Sequence, residues 1–455
     1  MSTPRAPHFF DAVDWLGFAI TSMVVFAIYL RTITPDLALG YGGIFATSAL
    51  YGGPALPPGY PVQTLYSWAI IKLLPFGNIA FRVALASSLA GAFAAGLLAL
   101  FVSSSSRSLW ADSFAARLAD ERHSKILRLV ASCSAGMGLG FERTFWRRAV
   151  LPDTWPLSVL LFLATLLFAM RWFMEPSRRK FLFLAAFVYG LAVTNSQALF
   201  SAALGLVVLI ILAEPKVARD CCFVIGLFFV SYLLHNVSSS GQWNRLLHSL
   251  DEELLPALWW VVGLASLSTC IILTVKSRRL FTEWKLVIVS LLGFLLGLAL
   301  YLYVPVSSMT NPPLTWGYPR TVTGFFHVLT RGQFERLSPA STWHYAISSA
   351  TAYAINTWED MGTFYLFASA IIFFRIRKVS DKGKRWMAAL VAVCLCLGPL
   401  LVLVVNPSTD WQSRQYHEVF ISISHVILFV WAGYGMILVG SRGLVRLQPV
   451  AAEGI

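Results

Sequence analysis

The chain has 455 residues, of which 57% are hydrophobic and only 13% charged, and its net charge is +13. In a soluble domain about a quarter of the residues are charged. This composition therefore excludes a soluble domain and indicates an integral membrane protein. The positive charge does not indicate a nucleic-acid partner, because the basic residues are distributed according to membrane topology.

The apolar runs are long enough to cross a membrane. A transmembrane helix needs roughly 20 apolar residues, and its backbone polar groups must be satisfied within the segment. In chain order the runs lie at 15–31, 79–103, 126–141, 156–173, 182–196, 199–213, 221–235, 255–275, 285–304, 360–374, 386–405 and 418–438. We therefore predict an all-α integral membrane fold, a polytopic bundle of about twelve transmembrane helices. The stretch 182–213 can also be divided differently.

Charge assigns the loops to two sides of the membrane. Most of the 35 Lys and Arg residues fall in short segments that alternate with loops poorer in cations. The positive-inside rule places the basic segments, and with them both termini, in the cytoplasm. The outer side receives the loops 35–76, 142–153, 194–197, 235–253, 305–345 and 406–417. Nearly all motif-like clusters lie in these loops, so we expect the function at the outer face.

Two segments of the first outer loop are too short to span and too apolar for free loops, Ile44–Tyr51 and Val62–Leu74. In the second, apolar residues recur at helical spacing. They are Val62, Leu65, Tyr66, Ile70, Leu73 and Leu74. We predict that both segments are helices lying in the membrane interface.

The outer segments carry a series of ordered motifs. They read YLRTITPDLALGYGGIF, LPPGYPVQTLYSWAIIKLLPFGNIAFRVALASSLAGA, TFWRRAVLPDTWPL, GLAVTNSQAL, NPPLTWGYPRTVTGFFHVLTRGQF and RQYHEVFISISHVILFVWAGYG. In this order and spacing they resemble polytopic membrane glycosyltransferases of the GT-C class. The resemblance is to the family that includes the vertebrate endoplasmic-reticulum protein O-mannosyltransferase acting on plexins and its bacterial relatives.

The resemblance implies a reaction and a set of partners. A sugar, with mannose as a candidate, would pass from a polyprenyl-phosphate donor to a hydroxyl group of a protein or glycan acceptor. The implied partners are this lipid-linked sugar, the acceptor and the bilayer, with no nucleic acid and no cofactor. The attacking hydroxyl needs a carboxylate within hydrogen-bond reach as general base.

The first outer loop, Gly40–Pro61, differs from the family pattern at the positions of the family's ionisable residues. The family's acids and imidazoles would stand at Tyr41, Ile44, Leu56, Ser196 and Tyr318. A tyrosine, with a pKa near 10, is a poor base at neutral pH. The residues that shape the loop backbone are retained at Gly40, Gly43, Pro57, Pro58, Gly59, Tyr60 and Pro61. The loop therefore predicts the fold of an enzyme but not its catalytic group.

Two outer carboxylates are the candidate catalytic residues, Asp36 and Asp153. Asp36 is either a turn residue at the end of a span or a relocated base. Asp153 aligns with a glutamate of the family, but as part of Pro-Asp-Thr-Trp-Pro it can equally be a helix N-cap.

Outer-face cations and polar residues supply the candidate binding groups. For the donor phosphate we expect Arg147, Arg148, Arg414 and His417, since arginine binds phosphate through paired hydrogen bonds. Pairing of the two neighbouring arginines with Asp153 or with lipid headgroups is the alternative. For the sugar or acceptor the candidates are Tyr41, Asn195, Gln197, Asn311, Trp316 and Tyr318. We expect Glu142 to pair with its neighbour Arg143.

No metal site is predicted, because hard cations bind several carboxylates and the acidic box is replaced. We expect one GT-C-like transmembrane domain, 1–440, with a first outer loop at 34–78 and a late outer loop at 305–345. A short cytoplasmic tail, 441–455, would follow. The expected location is the bacterial inner membrane, or the endoplasmic-reticulum membrane in a eukaryote.

Three functions stay open at the level of sequence. The first is an active glycosyltransferase with a rearranged base. The second is a catalytically inactive relative that binds lipid-linked sugar or partners such as an active paralogue. The third is a transporter of a lipid-linked substrate, which the scarcity of ionisable residues within the spans disfavours.

Overall fold

Helices cover all the predicted spans in the part of the chain that the computed structural model describes, residues 9–37, 40–110, 121–240, 254–332, 343–405 and 418–447. The α-helices are α1 (Ala12–Thr32), α2 (Gly42–Tyr51), α3 (Pro61–Leu73), α4 (Ile79–Trp110), α5 (Glu121–Gly140), α6 (Arg143–Ala149), α7 (Trp155–Met174), α8 (Lys180–Asn195), α9 (Ala202–Ala213), α10 (Pro215–Ser240), α11 (Leu254–Ser277), α12 (Trp284–Leu298), α13 (Tyr303–Ser308), α14 (Val322–Leu329), α15 (Trp343–Phe374), α16 (Asp381–Leu395), α17 (Leu401–Val405) and α18 (His425–Leu447). The predicted all-α polytopic class is confirmed.

The number of spanning helices is smaller than twelve by a strict criterion. Over the described ranges, eight helices are long and apolar enough to cross a membrane. Two further apolar helices are shorter, with the bounds Lys180–Asn195 and Gln197–Ala213. The predicted span at 126–141 is helical as α5, but charged residues in the first half of that helix, among them Lys125 and Arg128, lower its hydropathy. The figure of about twelve is thus not confirmed, although each predicted span is found on helical chain.

Helix α4 lies at the centre of the bundle and packs against α1, α5 and α7. Small residues allow its neighbours to approach closely, as is usual for helices in membranes. A Cβ atom at Gly96 would lie 2.8 Å from the Phe18 carbonyl oxygen of α1. Leu98, Phe101 and Val102 continue from there into the largest apolar core.

Ion pairs join α1, α4 and α5 near the chain's N-terminus. Asp11 caps α1 in a reciprocal capping box with Asp14. Its carboxylate also contacts Arg107 of α4 at 2.5 Å and Arg128 of α5 at 2.7 Å. Since Asp14 is buried and accepts a 2.5 Å hydrogen bond from Ser103, the charges in this cluster are all partnered, as burial requires.

A second buried ion pair connects α10 with the segment that joins α11 to α12. Arg219 and Asp220 are 1% and 2% exposed and contact each other at 2.6 Å. The Arg219 guanidinium also donates to Ser277 Oγ at 2.9 Å and to Thr282 Oγ1 at 2.9 Å. Asp220 Oδ2 accepts from the Glu283 backbone N–H at 2.7 Å. The pair holds this connecting segment against α10.

The segments predicted as interfacial helices, Ile44–Tyr51 and Val62–Leu74, are helical, as α2 and α3. The buried side of α3 is largely polar, with Gln63, Thr64 and Ser67 turned inward. Its apolar stripe faces outward, and Leu73 is 72% exposed. An apolar outer face is what a helix needs at a membrane interface.

Candidate functional site

The first outer loop is shaped by its glycines and prolines. Gly52 ends α2 in the left-handed conformation, and a cis peptide bond joins Pro57 to Pro58. Gly59 follows at φ +105°, and Pro61 begins α3. An L side chain is strained at such a φ value, so the position of Gly59 requires glycine.

The loop packs directly against the segment that precedes the NPPLTWG motif. Tyr303 Oη donates to the Gly52 carbonyl oxygen at 2.5 Å. A Cβ atom at Gly53 would lie 2.7 Å from Pro312 Cβ, and one at Gly59 would lie 2.6 Å from Val304 Cγ2. The glycines therefore permit contact between two motifs that are far apart in sequence.

Replacing Gly59 by Ala is expected to lower the free energy of unfolding by about 2–5 kcal/mol, from backbone strain and overpacking against Val304. Gly40→Ala is the matched control, since Gly40 has φ +100° but nothing within 4 Å of a Cβ atom. A second substitution, Val304→Ala, should restore part of the loss. Reversible unfolding in mixed detergent micelles measures the difference, and equal losses for Gly59→Ala and Gly40→Ala would contradict the expected clash.

The FGNIAFR motif stabilises the C-terminal end of the first outer loop through hydrogen bonds. Asn78 Oδ1 accepts from the Phe81 N–H at 2.8 Å as an N-cap of α4, while its Nδ2 donates to the Pro35 carbonyl oxygen at 3.1 Å. Arg82 donates to the carbonyl oxygens of Phe76 and Gly77 at 2.9 and 3.0 Å. The polar side-chain atoms of Asn78 and Arg82 are thus occupied by hydrogen bonds to backbone groups. We therefore assign the motif a structural role.

Asp36 lies in an exposed turn at the end of α1. Its Oδ1 accepts from the adjacent Leu37 N–H at 2.7 Å. This bond is local, because it joins the side chain to the next residue of the chain. Apart from that bond, no contact of the Asp36 carboxylate with another candidate residue is found in the described ranges.

Asp153 is largely buried at the start of α7, and both of its carboxylate oxygens are bonded. Oδ1 accepts from the Trp155 N–H at 2.8 Å, and Oδ2 accepts from Arg148 at 3.1 Å. Ser87 of α4 bonds to the backbone of Asp153. The carboxylate also acts electrostatically on Tyr60 of the first outer loop, so Asp153 lies near the Tyr60 side chain.

The arginines of α6 point to different carboxylates. Arg148 pairs with Asp153, and Arg147 pairs with Glu418 shortly before α18. Both pairs are partly exposed. The other two predicted phosphate ligands, Arg414 and His417, lie outside the described residues.

The residues predicted to bind sugar or acceptor are not gathered at one point. Asn195 is buried and donates to the Thr154 carbonyl oxygen and to Ser158 Oγ. Gln197 donates to the Leu329 carbonyl oxygen at 2.8 Å, which joins α8 to the late outer loop. Asn311, Trp316 and Tyr318 are exposed on that late loop, and Tyr41 is exposed where α2 begins.

Sequence reasoning missed Arg331, which lies just after α14 and faces the first outer loop. Burial raises the pKa of Tyr60, the charges of Asp153 and Tyr41 act in the same direction, and Arg331 opposes them. Arg331 is therefore a further cation beside the loop. It lies within the family-like block NPPLTWGYPRTVTGFFHVLTRGQF, but the motif comparison assigned no role to this position.

Sequence reasoning also missed a buried group of ionisable residues, Glu142, Asp360 and His425. The adjacency of Glu142 and Arg143 led us to expect an ion pair between them, and this prediction is wrong. Arg143 instead contacts Glu359 at 3.2 Å, and Glu142 Oε1 lies 2.5 Å from His425 Nδ1. Burial raises the pKa of Glu142 to about 7; His425 opposes the shift and Asp360 adds to it.

Residues 43–219 match the family model described as the protein O-mannosyl-transferase TMEM260 N-terminal domain. The match covers less than half of the chain and shows that this segment resembles the family. The resemblance inferred from the motifs is thereby confirmed for the part of the chain that holds most of the first outer loop, α6 and Asp153. Asp36, Tyr41 and the late outer loop lie outside the matched segment.

A curated relative of the TMEM260-type segment is the protein O-mannosyl-transferase TMEM260 of Mus musculus. It is 45% identical over 74 residues, which cover 16% of this chain and 10% of the mouse protein. The aligned region is thus a small part of the relative.

Two solved structures of ArnT from Cupriavidus metallidurans are also similar, one bound to undecaprenyl phosphate and one in the apo state. They are 14% and 15% identical, cover 96% of this chain and 79% and 78% of theirs, and each has a TM-score of 0.28. A TM-score this low does not establish a common fold.

Proposed function

We propose that the chain is a GT-C-type glycosyltransferase that transfers a sugar, with mannose as first candidate, from a polyprenyl-phosphate donor to an acceptor hydroxyl group at the outer face. The observation that carries the proposal is the match of residues 43–219 to the TMEM260 N-terminal domain. The contact of the first outer loop with Tyr303 and Pro312 supports it, because it brings together two of the motifs on which the resemblance inferred from the sequence rests.

For the donor phosphate we propose Arg148 and Arg147, together with Arg331 and the sequence-predicted Arg414 and His417. Arg148 and Arg147 hold carboxylates at their guanidinium groups. A phosphate group also presents two oxygens that one guanidinium can bind through paired hydrogen bonds, so it can exchange with these carboxylates.

For the sugar and acceptor hydroxyls we propose polar atoms buried around the loop. Within the part of the chain that the structure describes, four such atoms are buried without a hydrogen-bond partner: Ser48 Oγ of α2, Gln63 Oε1 of α3, Ser308 Oγ of α13 and Asn195 Oδ1. Buried polar atoms are normally satisfied, so these atoms can receive hydroxyl groups of a ligand. Tyr41, Gln197, Asn311, Trp316 and Tyr318 remain candidates on the exposed side.

For the general base we propose Asp153. It lies within the family-matched segment, next to the loop and next to a phosphate-binding candidate. The remainder of the arrangement follows the sequence prediction: one transmembrane domain over 1–440, both termini in the cytoplasm, and a protein or glycan as acceptor.

The proposal is tested with the full chain purified into nanodiscs. Polyprenyl-phosphate mannose and an acceptor mixture of peptides and glycans are added, and sugar transfer and release of polyprenyl phosphate are measured. Time-dependent transfer is expected. Binding of the donor with no transfer to any acceptor would favour the inactive relative, a reading motivated by Tyr41, Ile44 and Leu56 at the family's ionisable positions. Movement of the donor lipid across the membrane of reconstituted vesicles, with no sugar transfer, would favour a transporter.

Arg148→Gln is expected to weaken binding of polyprenyl phosphate about tenfold or more, since a hydrogen bond to a charged group contributes about 1.5–3 kcal/mol. Arg143→Gln is the matched control on the same helix, because Arg143 is exposed and pairs with Glu359. Equilibrium binding of a fluorescent polyprenyl phosphate measures both. Equal affinity of the two variants would remove Arg148 from the proposed phosphate site.

A further inference from the structure

Three ionisable side chains from distant parts of the chain meet beneath α6. Glu142 precedes α6, Asp360 lies on α15 shortly before the helix breaks at Gly362, and His425 begins α18. One potential ligand atom from each lies within 4.8 Å of the other two. Glu142 is 2% exposed and His425 is fully buried.

The negative charge of this cluster is not balanced by its own members. Two carboxylates face one imidazole, which supplies at most one positive charge. The nearby arginines pair with other carboxylates, Arg143 with Glu359 and Arg147 with Glu418, although the Arg143 charge also acts on Asp360. Glu142 Oε2 is buried and has no hydrogen-bond partner among the described residues. A buried charge that is not paired is costly, so the cluster calls for a further positive charge.

The hydrogen bonds around His425 orient one ring nitrogen toward the carboxylates. Thr357 Oγ1 donates to the Tyr353 carbonyl oxygen at 2.7 Å, so its oxygen is left to accept from His425 Nε2 at 3.1 Å. Nε2 therefore carries a proton, and Nδ1 faces Glu142. A histidine that binds a metal usually donates its other ring N–H in this way. On the opposite side, Thr144 Oγ1 donates to Asp360 Oδ1 at 3.2 Å and orients that carboxylate.

We propose that Glu142, Asp360 and His425 bind one divalent cation of the zinc or manganese class. Imidazole with carboxylates, and without thiolates, suits these ions. Three protein ligands also leave a coordination position open to water or to a ligand. The cation takes the place of the proton between His425 Nδ1 and Glu142, and the unpartnered Glu142 Oε2 supplies a ligand atom.

The cation links the start of α6 to α15 and α18. Arg147 and Arg148 follow Glu142 on α6, so the ion fixes the helix that carries both arginines. The site is independent of the proposed transfer reaction, because its ligands and its charge requirement do not depend on a sugar donor.

The test measures metal content and thermal stability of the full chain in detergent, with no activity assay. The protein is stripped with a chelator, then incubated with Zn²⁺, Mn²⁺, Mg²⁺ or Ca²⁺ separately and analysed by mass spectrometry for bound metal. About one equivalent of Zn²⁺ or Mn²⁺ per chain is expected, as is a melting temperature that falls on chelation and recovers on addition.

The variants Glu142→Gln and His425→Gln should each lose the bound metal and the melting response. Glu359→Gln, next to Asp360 in sequence but exposed and paired with Arg143, should keep both. A wild-type chain that binds no metal and melts independently of chelator and cations would overturn the proposal and assign the cluster to a shared proton. So would variants that bind metal as the wild type does. The wild-type measurement decides the matter even if a variant does not fold.

Discussion

Asp153→Asn is expected to lower the rate of sugar transfer by about 10²–10⁴-fold, the usual contribution of a general base. The asparagine can still accept from the Trp155 N–H, so the start of α7 is expected to persist. Donor binding should change much less than turnover, because the loss falls on the chemical step. Single-turnover kinetics, with the donor dissociation constant measured separately, distinguish the two effects.

Asp36→Asn is the matched control for this prediction. Asp36 is an outer-face aspartate of the same loop region, but it is exposed and bonds only to the neighbouring Leu37 N–H among the described contacts. Its turnover should stay near that of the wild type. If both variants turn over at the wild-type rate, neither carboxylate is the base. If Asp36→Asn alone is slow, the base is Asp36.

Arg219→Met is expected to lower the free energy of unfolding by about 3–5 kcal/mol, because it leaves the buried Asp220 carboxylate without its partner. The cost arises from desolvation, since Asp220 is 2% exposed. The double variant Arg219→Met/Asp220→Asn should lose less than Arg219→Met alone, because it leaves no buried charge. Reversible unfolding in mixed micelles, followed by tryptophan fluorescence, gives all the values.

Arg179→Met is the control for the Arg219 variant. Arg179 pairs with Glu283 at 2.9 Å but is 59% exposed, and exposed pairs contribute about 0–1 kcal/mol. A loss for Arg219→Met no larger than that for Arg179→Met would show that the buried pair is not a main contributor to stability.

The sequence predicted the spans and the two helices of the first outer loop because apolar length and periodicity are local properties. It could not predict which face of α3 would be buried. A periodic stripe shows that a helix is amphipathic, but in a membrane protein the apolar side can face either lipid or core. In α3 the polar residues Gln63 and Ser67 face inward and bond to each other at 2.9 Å.

The candidate site was predictable only where family motifs or sequence neighbours revealed it. Asp153 and Arg148 are five residues apart, and their pairing was weighed as an alternative from sequence. Glu142 was assigned to the adjacent Arg143, but adjacency in sequence does not decide which partner a side chain takes in the fold. Its actual partner, His425, is 283 residues away, a separation at which the pattern of a single sequence carries no pairing signal.

The bond between Tyr303 and Gly52 joins positions 251 residues apart, and this separation bears on biogenesis. During synthesis, the first outer loop is made long before α13 exists. Until residues 303 and 304 have been synthesised, Gly59 lacks its packing partner Val304. The loop therefore becomes ordered late, and an N-terminal fragment ending before α13 would present its motifs without their assembled geometry.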